Sequence, residues 1–460
     1  MKETRRSAVV SPGFIFGILT FSVALFAIII ALASPLVSAI ACGALTAVVA
    51  FALRPDLALI PYFLLAFLLP SYPVIDVVTV LLIAASIPAF RRKKRWDMVA
   101  QSPIFKPALF LLILAAACTF YGVFICENKV TFIYRDARVF VYWLFFIPLM
   151  AWAPDKAPHR WLFWMTILCG LIIAGLSVAQ GVSGRAFIST GRVGDLDSIS
   201  STTISTIRVQ IPGFVFVVFS IFAILSLYLN KEIKFFPMLL VFGFLMLGLI
   251  YNYGRALWFW TFIGMFVVAA CYKVRGLVLF AVANLAIAVV AVPLLMQLRP
   301  DLLDKVAERV TSTFHEGGEG TSFGWREFEL QKGLEALDKT FFAGIGIGGE
   351  YRRPLYSLAA WDDYPRYTHN GYLFLALKLS VLGPLVFVFL IGALVKMSVR
   401  LISQDASNRA IAVSCLAFSI SFAGINTTQP EIMTHYGVLA FVFVAAVGLL
   451  AGSKLYATKL

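Results

Sequence analysis

Long apolar runs separated by short polar breaks make up most of this chain. A helix needs about 20 apolar residues to cross a bilayer. On that measure the sequence predicts spans at roughly 14–33, 37–53, 57–70, 74–90, 106–126, 139–152, 161–180, 211–229, 235–252, 256–272, 277–297, 370–394, 410–426 and 436–452. Only Arg54, Pro55 and Asp56 separate the second span from the third. The pattern therefore predicts an all-α fold, a polytopic bundle of about 12–14 transmembrane helices.

Composition supports a membrane protein. Hydrophobic residues make up 61% of the 460 positions and charged residues 13%, with a mean hydropathy of +0.90. A soluble domain carries about 25% charged residues. The polar sequence is too scarce to cover the surfaces of soluble domains, so we expect one integral membrane domain over residues 1–460. The charged N-terminus leads directly into the first apolar run, which indicates a retained span and not a cleaved signal peptide.

The distribution of charge predicts the orientation. The net charge of +14 lies in short loops between apolar runs, and five consecutive basic residues occupy positions 91–95. Basic loops favour the cytoplasmic side and anionic lipid, so we expect both termini in the cytoplasm, contact with membrane lipids and no nucleic-acid partner.

Two outer segments are too long to be simple connectors. One covers residues 181–210 and is rich in Ser, Thr and Gly, and the other covers 299–369. In the second, apolar positions at helical spacing predict an amphipathic helix near residues 301–310. A second helix is predicted at about 323–339, followed by a glycine-rich turn at 344–349. We expect these helices to lie in a long periplasmic loop that carries the site.

Two arginines are candidates for anion binding. Arg255 follows the polar turn Tyr251-Asn-Tyr-Gly, and Arg326 lies in the predicted loop helix. A guanidinium group matches phosphate oxygens with two parallel hydrogen bonds. The alternatives are a snorkelling arginine at the interface for Arg255 and a salt bridge with Glu327 or Glu329 for Arg326.

His369 is the candidate base, because it stands at the outer mouth of a predicted span and an ordinary histidine accepts a proton at neutral pH. Asn370 is expected to cap that helix. The glycine turn, which includes Gly346 and Gly348, either offers backbone N–H groups to a phosphate or returns the loop to the membrane. Asp362 and Asp363 could hold a divalent metal together with His369, although adjacent loop carboxylates are usually only solvated.

Three pieces in this order resemble the O-antigen ligase and polymerase family of bacterial membrane glycosyltransferases. They are Gly254-Arg255 opening a span, then Arg326 with its helix and Phe342-Ala-Gly-Ile-Gly-Ile-Gly348, then His369-Asn-Gly-Tyr-Leu373 opening the next span. The resemblance covers about residues 250–395. The family often has an acidic residue where this chain has Lys378 and a glycine where it has Ser380, whereas Gly383 matches.

The resemblance implies transfer of a glycan from an undecaprenyl diphosphate carrier, at the periplasmic face of the bacterial inner membrane, without a metal ion or another cofactor. The acceptor is lipid A core for a ligase or another carrier-linked repeat for a polymerase. His369 would act as the base and Arg255 and Arg326 would bind the diphosphate. Asn370, Tyr372, Gly346, Gly348 and Arg208 are candidates for supporting roles. A flippase for the same lipid-linked glycan is the alternative from another class.

Overall fold

The computed structural model describes residues 72–93, 95–183, 192–195, 207–252, 254–286, 322–353 and 365–453, together with residues 59, 62 and 66. The chain divides into two compact units, residues 1–82 with 188–190 and residues 83–187 with 191–460. In the first unit the hydroxyl of Tyr62 lies 2.7 Å from that of Thr79. The first three predicted spans and the predicted helix near 301–310 lie outside the described residues, apart from single helical positions.

Helices account for nearly all of the described chain. The first group is α1 (Tyr72–Arg92), α2 (Arg95–Ala100), α3 (Phe105–Phe124), α4 (Val130–Val141), α5 (Phe146–Trp152), α6 (Pro158–Ser183), α7 (Phe214–Leu229) and α8 (Phe235–Tyr251). The second group is α9 (Arg255–Cys271), α10 (Lys273–Ala286), α11 (Ser322–Lys339), α12 (Gly371–Leu379), α13 (Leu382–Gln404), α14 (Arg409–Ile425) and α15 (His435–Ala451). This architecture confirms an all-α polytopic helix bundle.

The core of the second unit is built around α7 and α15, which are apolar on every side. Nearly every residue of α7 is buried, and all of α15 is. Small residues let neighbouring helices approach closely: a Cβ at Gly248 of α8 would lie 2.7 Å from the Cβ of Ala174 in α6. The outer helix α3 instead exposes large side chains such as Phe110, Ile113 and Phe120, as expected for a surface that faces lipid.

Four of the described helical stretches are long and apolar enough to cross a membrane: Phe105–Phe124, Pro158–Val182, Leu382–Gln404 and Ala406–Ile425. Four shorter apolar helices are Phe214–Leu229, Phe235–Tyr251, Arg255–Cys271 and His435–Ala451. The loop helix predicted at 323–339 is confirmed as α11.

Two expectations need correction. The predicted span at 370–394 is two helices, α12 and α13, which meet at Ser380 with a φ of +62°. The break follows from hydrogen bonding, because the carbonyl of Leu377 accepts from Ile345 and the amide of Val381 donates to Phe342, so helical bonds are replaced by loop contacts. The span predicted at 139–152 begins earlier, with α4, and contains the 3-10 turn Tyr142–Phe145 before α5.

A short hairpin forms in the predicted loop 181–210. Strands β1 (Arg192–Asp195) and β2 (Ile207–Gln210) pair antiparallel, with Gly194 opposite Arg208. No strand is predicted here from the sequence, because two four-residue segments are too short to show a clear alternation of polar and apolar positions.

Candidate functional site

The site begins with helix α11, which lies against α12 through its apolar face. Gly333 makes this contact possible, because a Cβ there would lie 2.7 Å from Cδ2 of Leu373. Further along α11, Ala336 and Leu337 join a buried cluster with residues of α12. This close packing brings the buried side chain of Glu329, one turn before Gly333, to the beginning of α12.

Glu329 and His369 form the central contact of the site. Nδ1 of His369 lies 2.9 Å from Oε2 of Glu329, and the backbone N–H of His369 donates to the same oxygen at 2.9 Å. The other oxygen, Oε1, accepts from Nε1 of Trp325 at 3.0 Å. Three N–H groups therefore point at this carboxylate, although its side chain is only 4% exposed, and they compensate its burial.

These contacts orient the imidazole ring. Because an ionised carboxylate can only accept hydrogen bonds, Nδ1 is the nitrogen that donates to Glu329, and in the neutral ring the lone pair is then on Nε2. The His369 side chain is 38% exposed, and the described part of the chain gives Nε2 no hydrogen-bond partner. A carboxylate on Nδ1 with an accessible Nε2 is the arrangement of a histidine base held by an acid.

The residues after His369 begin α12 in a defined way. Oδ1 of Asn370 accepts from the amides of Tyr372 and Leu373 at 2.9 and 3.0 Å, which confirms the predicted N-cap. The amide of Gly371 donates to the carbonyl of Asn426 at 2.8 Å, and the hydroxyl of Tyr372 donates to Ala423. These bonds attach the beginning of α12 to the end of α14.

The glycine turn 344–349 is largely engaged inside the protein. The amides of Ile345, Ile347 and Gly348 donate to Leu377, Cys118 and Asp136 respectively. Positive φ values at Gly344, Gly346 and Gly348 shape the turn, and Gly346 packs onto the backbone of Gly122 in α3. This geometry favours the second interpretation of the turn, a tight return of the loop to the bundle.

The two arginines lie at the same end of the bundle as His369. Arg326 is on α11, one turn before Glu329, whose oxygens bond with His369 and Trp325. Arg255 begins α9, and Trp260 in the next turn fits against Gly424 near the end of α14. The carbonyl of Asn426, which follows α14, accepts a hydrogen bond from the beginning of α12. The first turn of α9 and the His369 segment therefore lie at the same end of the bundle.

The remaining predicted residues lie less centrally. Arg208 is in β2, and Asp362 and Asp363 fall outside the described residues. The opposite end of the bundle is separate: there Arg409 donates to the carbonyl of Cys271 at 2.8 Å, and Arg160 lies 3.7 Å from Glu232.

The contact of Glu329 with His369 is not predicted from the sequence, where Glu329 is considered only as an ion-pair partner of Arg326. The sequence did contain an indication. Trp325, Glu329, Gly333, Ala336 and Leu337 follow helical spacing, so the acid lies on the apolar face of α11. An acidic residue on an otherwise buried face needs a partner, and His369 provides it.

The helical architecture defines a polytopic membrane protein, and at one end of the bundle a half-exposed histidine is paired with a buried carboxylate. Residues 238–391 match the family model described as O-antigen ligase, and this confirms the family resemblance of the sequence motifs. The match covers about a third of the chain and contains Arg255, Arg326, Glu329 and His369. It supports a bacterial membrane enzyme of the O-antigen ligase or polymerase type, similar to a glycosyltransferase. No curated protein matches the chain.

Proposed function

We propose that this protein is a periplasm-facing glycosyltransferase that moves a glycan from an undecaprenyl diphosphate carrier to an acceptor sugar. We further propose that it acts as an O-antigen ligase, with lipid A core as the acceptor. The observation that carries the proposal is the 2.9 Å contact between Nδ1 of His369 and the buried Glu329 carboxylate, which leaves Nε2 able to take a proton at an exposed position.

In the proposed reaction the acceptor hydroxyl attacks the anomeric carbon of the donor sugar. A new carbon–oxygen bond forms, the bond from that carbon to the diphosphate breaks, and its electron pair leaves with the diphosphate. The hydroxyl proton moves to Nε2 of His369. Such a base contributes about 10²- to 10⁴-fold to a rate, and the Glu329 carboxylate stabilises the imidazolium ion that forms.

The diphosphate needs little further activation, so the second task is to neutralise its charge. Arg255 and Arg326 are the proposed clamp, since each guanidinium can make charge-assisted hydrogen bonds of about 1.5–3 kcal/mol. With two arginines in this role the transfer needs no metal ion or other cofactor. The donor is thus a lipid-linked glycan bound by its diphosphate.

The proposed location is the bacterial inner membrane, with both termini in the cytoplasm and the His369 end of the bundle in the periplasm. The distribution of basic residues supports it: Lys93 and Arg95 lie near Asp155 at the end of the bundle opposite His369, as the preference of basic loops for the cytoplasm predicts.

A flippase and a polymerase remain the alternatives. The acid–histidine pair favours a transferase over a flippase, because ion-coupled transporters place ionisable groups at the bilayer midplane, whereas this pair lies before the first turn of α12. A ligase and a polymerase share the donor chemistry and differ in the acceptor.

The deciding experiment is the glycan phenotype of a strain that lacks this gene. We expect carrier-linked polymer to accumulate while lipid-attached polymer disappears. Single unpolymerised repeats would show a polymerase instead of a ligase, and carrier-linked glycan held on the cytoplasmic face would show a flippase.

A further inference from the structure

A cluster of three charged side chains lies buried beside the glycine turn. Oδ1 of Asp136, on α4, accepts from Nη1 of Arg366 at 3.1 Å. Oδ2 of the same carboxylate lies 3.0 Å from Nζ of Lys378 and accepts from the amide of Gly348 at 3.1 Å. Lys378 also donates to the carbonyl of Gly349.

These charges are well removed from solvent. The side chain of Lys378 is fully buried, and those of Arg366 and Asp136 are about nine-tenths buried. Arg366 additionally stacks on the ring of Phe132, with its guanidinium carbon 4.2 Å from the ring centroid. Burying a single unpaired charge is very unfavourable, so each of the two cations depends on the shared Asp136 carboxylate. The three side chains therefore stabilise one another in this arrangement.

The cluster holds the chain on both sides of His369. Arg366 lies three residues before the histidine, and Lys378 lies on α12, which begins two residues after it. Gly348 and Gly349 belong to the turn that follows α11 in the chain. Asp136 comes from α4, a separate part of the bundle. A single carboxylate thereby attaches the histidine segment, α12 and the glycine turn to α4.

The contact between His369 and Glu329 depends on this attachment because its partners come from different segments. Glu329 is placed by the packing of α11 on α12 through Gly333 and Leu373. His369 lies in a segment with no regular secondary structure, residues 365–370, so its position depends on anchors at either side. A displacement of about 1 Å at a reacting group can cost about 10²-fold in rate.

We propose that Asp136, Lys378 and Arg366 are positioning residues that keep His369 in its hydrogen bonds with Glu329. This inference rests on the proposed role of His369 as the base. It also assigns a role to Lys378, the residue at which the chain departs from the family pattern. The cluster itself takes no part in proton transfer and touches neither the donor nor the acceptor.

Two variants test the cluster without leaving a buried charge unpaired. Lys378→Met leaves Asp136 with Arg366, and Arg366→Met leaves it with Lys378, so both should fold. Asp136→Asn leaves two buried cations and is expected to lower the yield of folded protein. Lys332→Met is the matched control, because Lys332 is also paired with an acid, Glu335 at 2.8 Å, but is half-exposed on α11.

The readouts are kcat, the KM for the donor lipid, and amide hydrogen exchange of the purified full chain. For Lys378→Met and Arg366→Met we expect kcat to fall about tenfold or more, while KM stays within about twofold of wild type. The His369 amide donates to Glu329, so its exchange should become faster together with that of residues 344–349. Exchange in α15 should not change, and the control should match wild type throughout.

Unchanged amide exchange at residues 344–349 and 365–370 in both variants would contradict the proposed positioning role of the cluster, whatever the transfer assay shows. A fall in kcat together with faster exchange throughout the bundle would also overturn it, because that result indicates general destabilisation. A wild-type protein that transfers no glycan would instead defeat the proposed function, and the exchange measurement would still test the positioning of His369.

Discussion

His369 and Glu329 are 40 positions apart in the chain, yet Nδ1 of the histidine lies 2.9 Å from Oε2 of the glutamate. The contact joins α11 to the residues that begin α12. Its two partners differ sharply in exposure: the carboxylate is buried, whereas the imidazole reaches the surface. The buried Glu329 carboxylate can therefore orient the imidazole, while the accessible His369 ring transfers the proton.

Replacing His369 by Ala should abolish most transfer. We expect kcat to fall by about 10²- to 10⁴-fold, with protein level and donor-lipid binding nearly intact, because a base acts on the transition state more than on the bound substrate. A well-folded variant that transfers glycan at close to the wild-type rate would exclude His369 as the base.

Glu329→Gln should lower kcat by roughly 10²-fold, because the neutral amide no longer stabilises the imidazolium ion that forms when His369 takes the proton. Glu335→Gln on the same helix is the control. Glu335 is half-exposed, and Lys332 holds the pKa of its carboxyl below the usual range through a hydrogen bond, but such surface pairs contribute little. Equal activities of the two variants in a steady-state assay would contradict the positioning of His369 by Glu329.

Arg255→Lys and Arg326→Lys should each keep the positive charge but lose the two-pronged geometry of the guanidinium. Loss of one charge-assisted hydrogen bond, about 1.5–3 kcal/mol, corresponds to a fall in kcat/KM of roughly 10- to 100-fold. Arg400→Lys, exposed at the opposite end of the bundle, should be silent. If both test variants were as active as this control, the diphosphate clamp would be wrong.

Cysteine labelling tests the orientation. In a background without other cysteines, Gln331→Cys on the exposed side of α11 should react with a membrane-impermeant maleimide in cells whose inner membrane is intact. Gln404→Cys, at the exposed C-terminal end of α13, should react only after the inner membrane is permeabilised. The reverse pattern would place the His369 end in the cytoplasm and contradict the proposed transfer at the periplasmic face.

Glu431 should make stability depend on pH. It lies in the 3-10 turn Glu431–Met433 between α14 and α15, outside the spanning helices. Burial raises the pKa of its carboxyl from 4.5 to about 7, although hydrogen bonds from Thr434 and Gln429 oppose the shift. A raised folded-state pKa contributes stability below pH 4.5 that is lost as the pH rises to about 7, amounting to roughly 3 kcal/mol.

Glu431→Gln imitates the neutral acid at every pH. Its melting temperature should exceed that of wild type by a few degrees at pH 8 and match it at pH 4.5. Thermal unfolding in detergent across this range is the measurement, and comparison of the two proteins cancels the titration of other groups. An equal or lower melting temperature of the variant at pH 8 would show that Glu431 is not a buried acid with a raised pKa.

The sequence by itself determined the class of fold and most of the helices. Apolar runs of spanning length predicted the bundle, because a lipid environment requires internally satisfied backbone hydrogen bonds and continuous apolar surface. Local chemistry also determined the amphipathic helix α11, the cap at Asn370 and the candidate base at His369. Each of these depends on residues that are close in sequence.

Only the tertiary structure decided which side chains meet. The contact of Glu329 with His369 spans 40 positions, and those of Asp136 with Arg366 and Gly348 span 230 and 212. The break at Ser380 likewise depends on bonds from the distant glycine turn. Periodicity reports which face of a helix is apolar, whereas the partner of a buried charge is decided by which other segment packs against that face.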